Sequence, residues 1–232
     1  MKLQTTKPRV PFSWRESEQA SLFLSRKFMF YPYNEIIHNN LIALHADRKE
    51  KRLLHLLWKS KEYNQAMFQG ESYWSNNLRA SIMKDNFTNY YNQALRAGSL
   101  PKVVFKMGYD HLGRGQNGSH VYDVGNFVAE VARYNRLNSF HIQVKGLNGY
   151  ENHHGPFSPA AKNAFDNQEE LPEEIQSFIR SNSADSKYLV IDLEPFRNLK
   201  WPFSANFEEL FCRYDVMILA NKCEAVEEFR QK

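Results

Sequence analysis

Cysteine is scarce in this chain. Cys212 and Cys223 are the only two in 232 residues, too few for a disulfide framework and without the spacing of zinc ligands, so two reduced thiols are expected. No stretch of 18 apolar residues occurs, and no membrane-spanning helix is predicted. The opening MKLQTTKPRVPFSW carries basic residues with no apolar run behind them. The chain as given therefore shows no export signal, and a cytoplasmic location is the default expectation. An excess of one sign of charge is also lacking. The net charge is +4, and clusters such as Asp47-Arg-Lys-Glu-Lys-Arg52 mix both signs, which suits a solvated helix face better than a nucleic-acid surface. Neither nucleic acid nor a membrane is an expected partner. No internal repeat or low-complexity linker breaks the chain.

Apolar material is plentiful: 42% of residues are hydrophobic and 14% aromatic, enough for one substantial core or two modest ones. The two parts of the chain differ in pattern. From Phe12 to about Ala97 the reading is helical. Ser13 and Glu16 form an S-x-x-E box that would cap a helix start. Ile37, Leu41 and Leu44 recur at helical spacing, Leu53 to Trp58 make a denser apolar patch, and Ser72 to Arg96 is the longest helical candidate, closed by Gly98 and Pro101.

After Pro101 the period shortens. Val103–Phe105, Phe140–Val144, Tyr188–Ile191 and Val216–Leu219 read as strands. Between them Val124–Tyr134, Pro159–Ala164, Pro172–Arg180 and Phe207–Phe211 read as helices. This alternation predicts an α/β fold: a small, mostly parallel sheet of about four strands with flanking helices, preceded by a helical N-terminal region. Residues 1–100 would pack as a helical region on the α/β region of residues 101–232, forming one structural unit.

Ligands of parallel sheets sit beyond the carboxyl ends of the strands, and that rule gathers candidates. The first strand leads to Gly108, Tyr109, Asp110, His111 and Arg114. The second leads to Gly146, Asn148, Asn152, His153 and His154, the third to Glu194 and Arg197, and the fourth to Asn221 and Lys222. All four loops are expected to share one rim. His111 is the sharpest member: an imidazole beside Asp110, with Arg114 a turn away, suits a general base on water next to an anion contact. A structural histidine bonded to a loop carbonyl is the competing reading. For His153 and His154 an exposed polar loop competes with ligand binding, and no fixed metal-ligand spacing is present. The glycines of Gly113-Arg-Gly-Gln-Asn-Gly118 do not open a helix at once, so a dinucleotide fingerprint is not read there. No G-x-S-x-G elbow or G-K-[ST] loop exists, which excludes the usual serine hydrolase and P-loop chemistries. On the long helix, Arg79, Met83 and Asn86 share a face, which suits a buried network or an anion contact as well as an ordinary surface.

These elements together resemble a known family. R-x-x-x-M-x-x-N at Arg79, Met83 and Asn86, then Val103–Phe105 leading to His111, then D-V-G-N-F-V-A-E from Asp123 to Glu130 and a strand through Ile142 resemble the erythromycin esterase-like proteins, which are related to the haem-binding ChaN-like and TIKI group. The likeness spans roughly residues 70–221. It implies an α/β fold with added helices and, in active members, hydrolysis of a cyclic ester or related bond by a histidine-activated water without an essential metal or other cofactor. His111 stands at the second histidine of an A-H-N-x-H type turn, and Gly108 stands where the first would be. The family's early G-E-x-x-H-G motif does not occur, so either the chain as given begins after that part or it is a reduced homologue. On this reading His111 and Asp110 would be catalytic, with Arg79, Arg114, Asp123, His153 and His154 binding substrate and Asp110 or Asp123 orienting the imidazole. A hydrolase acting on esters and a non-catalytic protein binding a small molecule or haem-like group both stay open. So do a truncated homologue and self-association.

Overall fold

The computed structural model describes residues 33–44, 47–153, 161–182 and 186–224. The Ser13–Glu16 box and His154 lie outside these residues, and His153 is described by its backbone alone. The chain divides into two compact units, Met1–Lys61 and Glu62–Lys232.

In the first unit, Asn34 accepts the Ile37 N–H at 2.9 Å and starts helix α1 (Glu35–Leu44). Asp47 accepts from the N–H groups of Lys49 and Glu50 and starts helix α2 (Arg48–Phe68). Both are side-chain caps for amides that lack an intrahelical acceptor. The Trp58 ring gathers His38, with centroids 4.9 Å apart, and Tyr33, at 6.0 Å.

The second unit takes in the end of α2 from Glu62 and then helix α3, which covers Ser72–Arg96 as the sequence predicts and is followed by Gly98 in the left-handed region with φ +83°. Helix α4 (Val124–Tyr134) is capped by Asp123, and helices α5 (Glu173–Ser181) and α6 (Ala205–Arg213) follow. Strand β1 (Ile142–Gly146) pairs in parallel with β5 (Val216–Ala220). Strand β4 (Tyr188–Asp192) pairs antiparallel with the other side of β5, giving the order β1-β5-β4. A separate antiparallel hairpin joins β2 (Asn148–His153) to β3 (Ala161–Asp166).

The fold is mixed α/β, as expected, but three expectations are corrected. First, the sheet is not mostly parallel. The connection from β4 to β5 leaves and returns at one end of the sheet, closed by the Leu193 N–H on the Asp215 carbonyl at 2.8 Å. Asp192 stands opposite Val216 in the register, so the chain re-enters the sheet where it left it, whereas a parallel crossover needs a net passage along the strands. Second, Val103–Phe105 is not a strand. Phe105 packs on Phe87, centroids 5.4 Å apart, while Val104 is 95% exposed. Its β-branched residues favour extended backbone, but no neighbouring strand supplies ladder bonds among the described residues. Third, residues 161–164 form a strand rather than a helix. Phe165 reaches the face of Gly146, where an added Cβ would lie 2.8 Å from the ring, and Asn167 bonds the Gly146 and Leu147 carbonyls. Cross-strand fit outweighs weak local propensity there.

The core lies on one face of the sheet. Met217, Leu219 and Ile191 pack with Leu193, Ile175, Phe207, Leu210 and Phe211. Phe196, Phe203, Phe207 and Phe211 meet mainly edge to face at 5.0–5.8 Å, a favoured geometry for ring quadrupoles. Ser204 caps α6, and Glu174 accepts from the Ser204 N–H and hydroxyl at 2.7 and 2.8 Å, tying α5 to α6.

Candidate functional site

His111 closes a single 3-10 turn, Tyr109–His111, that lies against the end of the sheet where β1 and β5 begin. Several bonds fix the turn there. The Tyr214 hydroxyl donates to the Tyr109 carbonyl at 2.8 Å, the Arg114 N–H donates to the Arg213 carbonyl at 3.1 Å, and His141 Nδ1 lies 2.6 Å from the Leu112 carbonyl. Gly125 in the first turn of α4 is pressed on the same segment. A Cβ there would sit 2.3 Å from the Leu112 carbonyl carbon, so only glycine lets helix and turn approach so closely.

The imidazole of His111 is held by the cap of α4. Its Nδ1 lies 2.7 Å from Asp123 Oδ2, and the His111 side chain is 14% exposed against 2% for Asp123. The carboxylate also accepts from the Asn117 amide at 3.2 Å and from the Val124 N–H at 2.6 Å. Asn117 is itself fixed, its side-chain oxygen accepting from the Ser119 and Val121 amides. An ionised carboxylate only accepts, so the His111 Nδ1 must carry the hydrogen, leaving Nε2 as a bare acceptor in the neutral ring. No partner for that Nε2 occurs among the described residues.

Beside this pair lies a second polar cluster centred on Asp215. Arg114 grips both oxygens, at 3.0 and 2.7 Å, Arg197 reaches Oδ1 at 2.9 Å, and the His141 N–H donates to Oδ2 at 2.7 Å. The fork-to-fork geometry of Arg114 is the strong form of such a contact. Arg197 also holds the carbonyls of Phe211 and Tyr214, each at 2.7 Å, and Arg114 holds that of Ser139 at 3.1 Å. Burial alone would raise the Asp215 pKa, but the bonds from Arg114, His141 and Arg197 outweigh it and hold the carboxyl below its usual range. His141 moves down, chiefly because burial disfavours its charged form. Burial pushes the Tyr214 phenol up to about 12.

The structure thus separates the expected residues into groups. His111, Asp123 and Arg114 lie on one stretch of chain at one end of the sheet, where Arg197 and Asp215 join them. Asn148 and the loop after β1 belong to the opposite end, where Asn148 binds the Lys222 and Cys223 amides. One shared rim is therefore not observed, because the turn after residue 105 meets the beginnings of β1 and β5. His153 belongs to the β2–β3 hairpin leading from that opposite end. Arg79 is exposed on α3 and makes no ion pair among the described residues. Asp110 is half exposed, with its Oδ1 3.6 Å from Arg213 and its carbonyl 3.3 Å from the same guanidinium. Asn117, His141 and Asp215 were not foreseen. A charge immediately before an apolar strand, as in Tyr214-Asp-Val-Met-Ile, was the available signal for Asp215. No group of three metal-ligating side chains occurs among the described residues, and among them no helix is long and apolar enough to cross a membrane.

Comparison with family models, curated proteins and solved structures gives no match for this chain. The chemistry of the site therefore rests on its geometry. That geometry offers one oriented imidazole with a bare nitrogen, next to a charge cluster whose guanidinium groups are already engaged.

Proposed function

We propose that this chain is an erythromycin esterase-like hydrolase homologue in which His111 serves as general base on water and Asp123 positions it. What supports the reading is the contact of His111 Nδ1 with the buried Asp123 carboxylate, which fixes the tautomer and leaves Nε2 to accept a proton. In the reaction, Nε2 takes a proton from water as the water oxygen bonds the ester carbonyl carbon. The carbonyl–alkoxy bond then breaks, and the imidazolium returns the proton to the leaving alkoxide. Products are one carboxylic acid and one alcohol, or a single hydroxy acid from a lactone. Asp110, half exposed, is assigned no proton transfer. Arg114 is assigned to positioning the turn, since both its terminal nitrogens are engaged, by Asp215 and by the Ser139 carbonyl.

The engagement of both Arg114 and Arg197 by Asp215 favours a second reading, a non-catalytic protein of this fold that binds a small ligand. A panel of p-nitrophenyl esters and lactones separates the two. Hydrolysis that falls by about 100-fold or more in kcat/KM in His111→Gln, with a smaller fall in Asp123→Asn, supports the first. Absence of turnover by the wild-type chain, or turnover unchanged by His111→Gln, overturns it.

A further inference from the structure

We propose that Asn117 is a positioning residue of this site, acting through Asp123 to hold the His111 ring in the orientation that leaves Nε2 bare. The inference rests on the reading of His111 as a base held by Asp123, and adds the group that holds Asp123. Oδ1 of that carboxylate accepts from the Val124 N–H at 2.6 Å, as the cap of α4. One bond leaves the plane of the carboxylate free to turn, because the terminal torsion of aspartate is broad. The other oxygen, Oδ2, receives two donors: His111 Nδ1 at 2.7 Å and the Asn117 amide nitrogen at 3.2 Å. Together these bonds fix the plane. With Asp123 2% and Asn117 7% exposed, bulk water is poorly placed to replace a donor that is lost.

The neighbours of Asn117 settle which way its amide points. Its Oδ1 accepts from the Ser119 N–H at 2.9 Å and the Val121 N–H at 3.1 Å. Reversing the amide would set its NH₂ against two donors and its oxygen against a carboxylate, so the nitrogen must face Asp123. The turn itself asks residue 117 only for an acceptor, which aspartate or serine would also supply. The amide nitrogen is surplus to the turn, and its bond goes to Asp123.

The turn is closed tightly enough to act as a mount. The Asn117 N–H donates to the Val121 carbonyl at 2.9 Å, the His120 N–H donates to the Asn117 carbonyl at 2.8 Å, and an antiparallel bridge joins Gln116 to Tyr122 just outside. All four polar groups of Asn117 are thus engaged. His120 sits in the left-handed region with φ 60°, a conformation that a residue other than glycine keeps where its surroundings impose it. Backbone amides of the turn therefore fix Asn117, Asn117 fixes Asp123, and Asp123 fixes the imidazole.

The test reads the ring itself, by long-range proton–nitrogen correlation spectra of the full chain at neutral pH, alongside hydrolysis of p-nitrophenyl acetate. Asn117→Ser leaves the turn an acceptor but is too short to reach Asp123. The share of His111 protonated at Nδ1 alone should fall, and kcat should drop about 5–10-fold with KM unchanged. Asn117→Asp keeps the acceptor for Ser119 and Val121, whose amides should exchange as slowly as in the wild type, but sets like charge against Asp123 and should also displace the Nδ1–H form. In an Asp123→Asn background, Asn117→Ser should change neither the spectrum nor kcat, because its effect passes through that carboxylate. A His111 spectrum unchanged in Asn117→Asp, or an Asn117→Ser effect of full size in the Asp123→Asn background, would overturn the proposal and leave Asn117 as a turn residue. A wild-type chain that hydrolyses no ester but shows these spectral changes supports the positioning and removes the hydrolase reading alone.

Discussion

Replacing Asp215 by asparagine keeps the shape of the hub and removes its charge. Four donor contacts converge on this carboxylate: two from Arg114, one from Arg197 and one from the His141 N–H. An asparagine offers one oxygen and turns an NH₂ toward donors, so at least two of the four are lost and two guanidinium groups are left facing each other. Hydrogen bonds to a charged acceptor contribute about 1.5–3 kcal/mol each, and breaking a buried ion pair on one side costs about 3–5 kcal/mol. The guanidinium groups here are 25% and 29% exposed and can recover part of that from water, which brings the expected loss to about 3 kcal/mol. Urea unfolding followed by circular dichroism should show a midpoint lower by about 1 M with unchanged slope. Native-state exchange at the Met217 amide should quicken to match. A loss below about 1 kcal/mol would mean that the cluster does not hold the turn of residues 109–114 to the sheet, and the reasoning would fail.

Other consequences follow from the same contacts. Gly125→Ala should destabilise by about 2 kcal/mol, because the new methyl meets the Leu112 backbone and overpacking outweighs the roughly 1 kcal/mol gain in helix propensity; an equally stable variant by thermal melting would contradict that close approach. Acid should weaken the fold in two stages. His141 has a depressed pKa in the folded state, so below about pH 6.5 the unfolded chain binds the extra proton first and stability falls with pH. Asp215 adds a further fall below about pH 4, as its ionised form is lost on passing through its lowered folded pKa. At the alkaline end the sign reverses: between about pH 10 and about 12 the unfolded Tyr214 ionises while the folded one stays protonated, and stability drops as pH rises. Urea midpoints across pH for the wild type, His141→Asn and Tyr214→Phe would register each slope, and slopes unaltered by these substitutions would refute the assignments.

Much of this arrangement was legible in the chain where a local rule agreed with tertiary structure. The helix from Ser72 to Arg96 has its stop written at Gly98 and Pro101, and the span Val124–Tyr134 reads as the helix that follows. The apolar runs at Tyr188 and Val216 became β4 and β5 because such residues suit a paired strand and Ile191, Met217 and Leu219 bury against the core. The direction of β4 was not legible, since it depends on where the connection to Asp215 returns and not on any residue in the strand. Val103–Phe105 carries strand-forming residues without a neighbouring strand among the described residues, and residues 161–166 carry weak propensity with a good one. In both cases pairing, a long-range property, decided the outcome. At the site, His111 was legible as a histidine at a turn, but its partner was chosen by the fold: adjacent Asp110 faces outward to Arg213, and Asp123, twelve residues on, takes the ring. Arg114 read as a free cation because Asp215 is 101 residues away in sequence.

The tautomer of His111 tests the proposed site most directly. In long-range proton–nitrogen correlation spectra of the wild-type chain at neutral pH, Nδ1 should carry the proton and Nε2 should resonate as an unprotonated acceptor, and Asp123→Asn should abolish that preference. A ring protonated at Nε2, or one whose spectrum is indifferent to Asp123→Asn, would contradict the assignment of His111 as an oriented base.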